Sequence, residues 1–155
     1  MKSKKVTEKY TDNNIRKPKG VVKNYFDKTM EIKKASNLIL YTATLPYNMT
    51  NRTALTAIGS ILSMRYLESI REKEGGSYGV GVRGSMSDIP VPEALVMMQF
   101  DTDPDKQAKL MGIIHSEVSE IVANGPKAED LQKVKENMLK KHAEDIAENG
   151  WWKSA

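Results

Sequence analysis

Arg71-Glu72-Lys73-Glu74-Gly75-Gly76-Ser77-Tyr78 is the stretch of this sequence whose residue types and spacing best suit chemistry. An arginine presents several fixed N–H donors and no acceptor, and a tyrosine farther along adds a hydroxyl. The glycine pair between them permits a turn that brings both side chains to one rim of a domain. There the two groups could hold the carbonyls of a bound extended peptide, or steady a developing oxyanion. A plainer account also fits. Arg71 would then be a surface cation favoured at a helix C-terminus, and Tyr78 an ordinary strand aromatic. Spacing and chemistry leave both accounts open.

Other chemistries find less support. The chain has no cysteine, which excludes disulfides and thiolate metal sites but does not reveal the redox compartment. Its two histidines, His115 and His142, lie in separate segments, and neither has a second histidine at helical spacing. No metal site is expected within the chain, and the acids of His142-Ala143-Glu144-Asp145 read as a solvated helix face. No serine sits in a Gly-x-Ser-x-Gly elbow, so no catalytic nucleophile is assigned. The literal match Gly79-x-Gly81-x-x-Gly84 resembles a dinucleotide fingerprint, but it lies inside a strand pattern and opens no helix, as that fingerprint must.

The elements that must position Arg71 and Tyr78 follow from periodicity. Residues 36–45 form an apolar, β-rich run stopped by Pro46, a buried strand. Leu55, Ile58, Ile61, Leu62, Tyr66 and Ile70 then recur at three- and four-residue steps and make one face of a helix. Thr50 or Asn51 would cap it, and Gly75-Gly76 would end it. Tyr78, Val80 and Val82 alternate with glycines in a half-buried strand. Residues 86–93 hold two prolines and form a loop, and residues 94–100 form a second, apolar strand.

The last third is helical. Asp103-Pro104 starts a helix with Leu110, Ile114, Val118, Ile121 and Val122 inward, ended by Gly125-Pro126. A second helix from about Lys127 turns Leu131, Val134, Met138, Leu139 and Ile146 inward and closes at Asn149-Gly150. The order β-α-β-β-α-α gives a two-layer α+β domain, with a mainly antiparallel sheet covered by helices on one face. Residues 1–30 read as a polar basic linker or preceding segment, 31–150 as the domain, and 151–155 as a truncated end. A small sheet of this kind has exposed edges, and Trp151-Trp152 would ordinarily bury against further structure. Both point to a piece of something larger.

Bulk properties narrow the class. Charged residues at 28% and hydrophobic ones at 39% suit a soluble globular domain rather than a disordered chain. No apolar run nears the roughly 20 residues that span a bilayer, and no signal peptide is visible. Neither membrane nor nucleic acid is expected as a partner. The net charge of +4 is modest and gathers near the start with a single aromatic, Tyr10, among its lysines and arginines. Periplasmic and cytoplasmic locations both stay open.

The segment from Tyr66 to Tyr78 resembles the signature of the C-terminal half of pitrilysin/insulinase-family zinc peptidases. In that family a helix ends in a Leu-Arg-Glu-like stretch, a glycine turn follows, and a tyrosine comes seven residues after the arginine. The resemblance extends over about residues 30–148, and includes Gly125-Pro126 followed by Glu129-Asp130-Leu131 and Lys133. It implies two halves enclosing a chamber. The N-terminal half binds zinc through His-x-x-Glu-His and a distal glutamate, and the other half reaches the substrate backbone through its arginine and tyrosine. Carried over by position, those two are Arg71 and Tyr78. No His-x-x-Glu-His occurs in this sequence. The resemblance therefore implies a chain inactive alone, with zinc expected in the parent protein. Its partners would be a peptide substrate and a zinc-bearing N-terminal half of the same protein, or a partner subunit. The alternative is an inactive partner subunit or assembly module with no proteolytic role.

Overall fold

The structure, a computed structural model, describes residues 11–74 and 79–154. Strand β1 (Ala35–Ala43) leads to helix α1 (Met49–Glu74), then to strands β2 (Val80–Ser87) and β3 (Glu93–Thr102). Helices α2 (Gln107–Asn124) and α3 (Ala128–Asp145) follow, with a short α4 (Asn149–Ser154) after them. This is the expected β-α-β-β-α-α order with one helix added. The sheet runs β1-β3-β2, and both pairs are antiparallel. Helices lie over one face, so the architecture is two-layer α+β. Ala94, Met98, Phe100 and Thr102 of β3 alternate toward the helices and are buried, as the central strand of such a sheet requires.

Strand limits differ from the sequence reading at their ends. Strand β1 stops at Ala43, short of Leu45. Met86, expected in the loop, pairs with Ala94, so the hairpin is longer than its prolines suggested. The loop shrinks to residues 88–92 because the β2–β3 ladder stays in register as far as Ser87 opposite Glu93. The Gly79-x-Gly81-x-x-Gly84 match falls on β2 and its approach, with no helix after it.

Helix α1 buries the face read from its periodicity. Leu55, Ile61, Leu62, Tyr66 and Ile70 are all buried. Its cap is neither Thr50 nor Asn51. The Asn51 backbone N–H donates to the Asn48 side-chain oxygen at 2.8 Å, which starts the helix two to three residues earlier than expected. The helix crosses β2 at very close range. A Cβ on Gly84 would lie 2.0 Å from the Leu55 carbonyl oxygen, and one on Gly59 would lie 2.8 Å from the Gly84 nitrogen. Two backbones touch there without side chains between them.

Helical structure begins at the expected Asp103-Pro104, but as a 3₁₀ turn, with α2 following from Gln107. Asp103 accepts from the Asp105 N–H at 3.0 Å, and a 3₁₀ turn over Pro104–Lys106 precedes the α-helix. Gly125, with φ +75°, ends it and donates to the Ile121 carbonyl. Leu110 and Ile114 enter the core as expected, joined by Ile113, whereas Val122 is exposed. The core closes around Tyr66, whose hydroxyl lies 3.1 Å from the Ile114 carbonyl and 3.4 Å from the Met98 sulfur. Burial pushes its phenol well above the ordinary value of 10.0, so it stays a donor at neutral pH.

Helix α3 departs most from the sequence reading. Val134 is buried, but Leu131, Leu139 and Ile146 are exposed. Periodicity finds the apolar stripe of α3, yet α3 packs chiefly against α1, through its first half. It ends at Asp145, and Asn149-Gly150 opens α4 instead of closing α3. The two tryptophans meet edge-to-face at 4.7 Å, and Trp151 rests against His142 at 5.5 Å. The Trp152 indole N–H donates to the Ile146 carbonyl at 2.8 Å, although the ring remains 67% exposed.

Candidate functional site

Arg71 lies in the last turn of α1, and its side chain and the whole of Tyr78 lie outside the described residues. What the structure gives is the frame around them. Ile70, one position before Arg71, is fully packed in the core, which fixes the rotation of the helix at that point. Beyond residues 75–78, β2 is in register from Val80, which pairs with Phe100. Four residues, 75–78, separate the end of α1 at Glu74 from Gly79, and pairing begins at Val80.

Beside this junction is a recess of about 690 Å³. Gly79 and Gly81 leave one side of it without side chains, and Gln99, Asp101 and the stretch Ile32-Lys33-Lys34 wall it. Lys34 pairs with Asp101 at 2.7 Å. The Lys34 ammonium and then the Ser36 hydroxyl, each donating a hydrogen bond to the carboxylate, hold the Asp101 carboxyl below its ordinary range. Thr102 also borders the recess, and its hydroxyl is buried without a hydrogen-bond partner. Behind it, Gln107 donates to the Asn37 side-chain oxygen at 2.6 Å, and Asn37 donates to the Ala35 and Phe100 carbonyls. These links tie the start of α2 to the ends of β1 and β3.

A glycine-floored recess with a mixed polar rim can admit a backbone closely and present donors and acceptors to it. It has no nucleophile–base pair. The recess was not legible in the sequence, because residues 32–34, 79–81 and 99–101 meet only through the sheet register. A second cluster was missed for the same reason. Between α1 and α2, Arg65 Nε lies 2.6 Å from Glu117, and the Ser69 hydroxyl donates to the other Glu117 oxygen at 2.6 Å. The Arg65–Glu117 contact is one of charge rather than a directed hydrogen bond, and one Arg65 nitrogen is buried without a partner.

The histidines serve other contacts. His115 Nδ1 lies 2.8 Å from the Tyr41 hydroxyl, and His142 meets Trp151. Among the described residues no group of three or more histidine, cysteine, aspartate or glutamate side chains could hold a metal. No helix among them is long and apolar enough to cross a membrane.

Comparison with known proteins agrees with this frame. A family model described as the Peptidase M16 inactive domain matches residues 4–138. The crystal structure of the periplasmic protease PqqL from Escherichia coli superposes with a TM-score of 0.62 at 21% identity, over 77% of this chain and 13% of that one. The likeness is one of fold, and this chain spans a small part of that protein's length. No curated protein sequence matches the chain.

Proposed function

This chain belongs to the Peptidase M16 inactive-domain family, the C-terminal, non-zinc part of pitrilysin/insulinase-type peptidases, and we propose that it contacts peptide substrate for a zinc-dependent parent enzyme. In this reading Arg71 and Tyr78 bind the backbone of an extended peptide near the scissile bond. Arg71 would offer its fixed fork of N–H donors to substrate carbonyls, and Tyr78 one hydroxyl. Zinc, held by an N-terminal half or by a partner subunit, would activate the water that cuts. The chain's own contribution is to orient, and nothing in its sequence supplies the His-x-x-Glu-His ligands.

The observation that carries the reading is the junction itself. Arg71 sits in the last turn of a helix whose preceding residue, Ile70, is 1% exposed, and β2 is in register two residues after Tyr78. A group near the end of an anchored helix loses little orientation entropy on binding, which is what a positioning role needs. The same positions in a mobile tail would not serve.

The test uses the parent protein. Arg71→Ala and Tyr78→Phe should each lower kcat/KM by about 10- to 1,000-fold, the range for loss of one charge-stabilising or orienting contact, with zinc content unchanged. Parent kinetics untouched by both substitutions would remove the assignment.

A second reading has one observation in its favour. The sheet face away from the helices exposes Leu38 and Leu40, a surface that also suits a purely assembling subunit. A parent complex that cleaves peptides equally well with both substitutions, but dissociates with Leu38→Lys, would favour it.

A further inference from the structure

Residues 11–34 form no helix or strand, yet they are not placed at random along the domain. Lys17 is ion-paired with Glu93, the first residue of β3, and Lys34 pairs with Asp101 near the other end of that strand. Glu93 and Asp101 belong to the alternate set from buried Ala94, Met98 and Phe100, so both anchors lie on the face that the helices leave open. The intervening segment thus starts at one end of that face and returns to the other.

The segment is longer than the gap it spans. Eight residue steps of β3 cover about 27 Å, while seventeen steps from Lys17 to Lys34 reach as far as ~60 Å when extended. It has slack to bend over the face. Its side chains also suit that course. Val21, Tyr25, Phe26 and Ile32 are more than 80% or close to 80% exposed at 88%, 81%, 91% and 80%, with Val22 and Met30 about half exposed. Beneath the same side, Leu38 and Leu40 are exposed at 59% and 47%. The register sets Leu40 beside Met97 and Thr42 beside Leu95, so the open face has a contiguous apolar strip.

Two exposed apolar surfaces tethered at both ends to the same strand will bury each other wherever chain entropy permits. In this structure the segment stands off the face, with Val21, Tyr25 and Phe26 at 88%, 81% and 91% exposure; we infer that the open face of the sheet is a docking surface for residues 18–31 of this same chain, poised to close over Leu38, Leu40, Leu95 and Met97 as a strap. The strap then competes with any partner for that face, and lifting it exposes the apolar strip. The inference concerns the open face and is independent of Arg71 and Tyr78.

The absence of cysteine in the chain makes a direct test simple. Leu40→Cys places a single thiol on the open face, and its labelling by a maleimide dye reports how often the face is uncovered. In the full chain, labelling of Leu40→Cys should be about fivefold slower than in the same protein carrying Val22→Asp and Phe26→Asp, which loosen the strap. Both substituted residues are half or more exposed, so folding is expected to persist, and circular dichroism checks it. If the aspartates unfold the chain, Lys17→Glu, which breaks one anchor, takes their place in the same comparison. Equal labelling rates with and without the loosened strap would overturn the inference. So would a protection that grows with protein concentration, since a second copy would then cover the face.

Discussion

A methyl group added at Gly84 would sit 2.0 Å from the Leu55 carbonyl oxygen and 2.6 Å from its carbon. Those are backbone atoms in the middle of a helix, and no rotamer change can move them aside. Gly84→Ala must therefore push α1 off the sheet or break the β2–β3 ladder, at a cost of roughly 3 kcal/mol or more. The added methyl of Gly59→Ala would meet the Gly84 nitrogen at 2.8 Å, a milder clash, so its urea midpoint should fall less than that of Gly84→Ala. Similar midpoints for the wild-type chain and Gly84→Ala would show that α1 does not lie this close to β2. Neither glycine was marked by the sequence beyond its place in a glycine-rich strand and a helical face. A residue chosen for what it lacks leaves no pattern of its own.

Helix α3 separates what periodicity can tell from what only packing decides. Val134 is 2% exposed and Leu139 is 61% exposed, though both belong to one apolar stripe. Val134→Ala should cost about 2 kcal/mol, as a large-to-small change in a core does, while Leu139→Ala should stay within about 0.5 kcal/mol. Thermal unfolding of the two variants decides it, and equal losses would mean that the second half of α3 is also packed. The order of elements was legible because the hydrophobic period switches cleanly between two and about three and a half residues. The α1 core face, the Asp103 start and the Gly125 stop were legible too, each from a residue type with one strong local role. The cap of α1 was not, since Asn48, Thr50 and Asn51 can all accept an N–H and only the backbone geometry chooses. The pairing of β1 with the far edge of β3 was likewise hidden, because it joins residues some sixty positions apart in sequence. Arg71 and Tyr78 stand differently again. Their chemistry could be read from residue types, but the preference for a binding role came from the family resemblance.

At the scale of the molecule, membership of an inactive-domain family separates holding a substrate from cutting it. Added zinc should leave the melting temperature of this chain unchanged within about 1 °C, because a ligand stabilises only a fold that binds it. A rise that scales with zinc concentration would reveal a site, although among the described residues no group of three or more ligand side chains comes together. The glycine contact between α1 and β2 has a mechanical consequence as well. Gly59 is twelve residues before Arg71, about 18 Å along the helix axis, so the touching backbones act as a fulcrum and the remainder of α1 as a lever arm. A tilt of only a few degrees at the fulcrum is magnified into a displacement of about 1 Å at the tip, enough to misplace Arg71 in the substrate-binding role proposed for it. Small substitutions at the fulcrum can then impair the parent enzyme well before they unfold it.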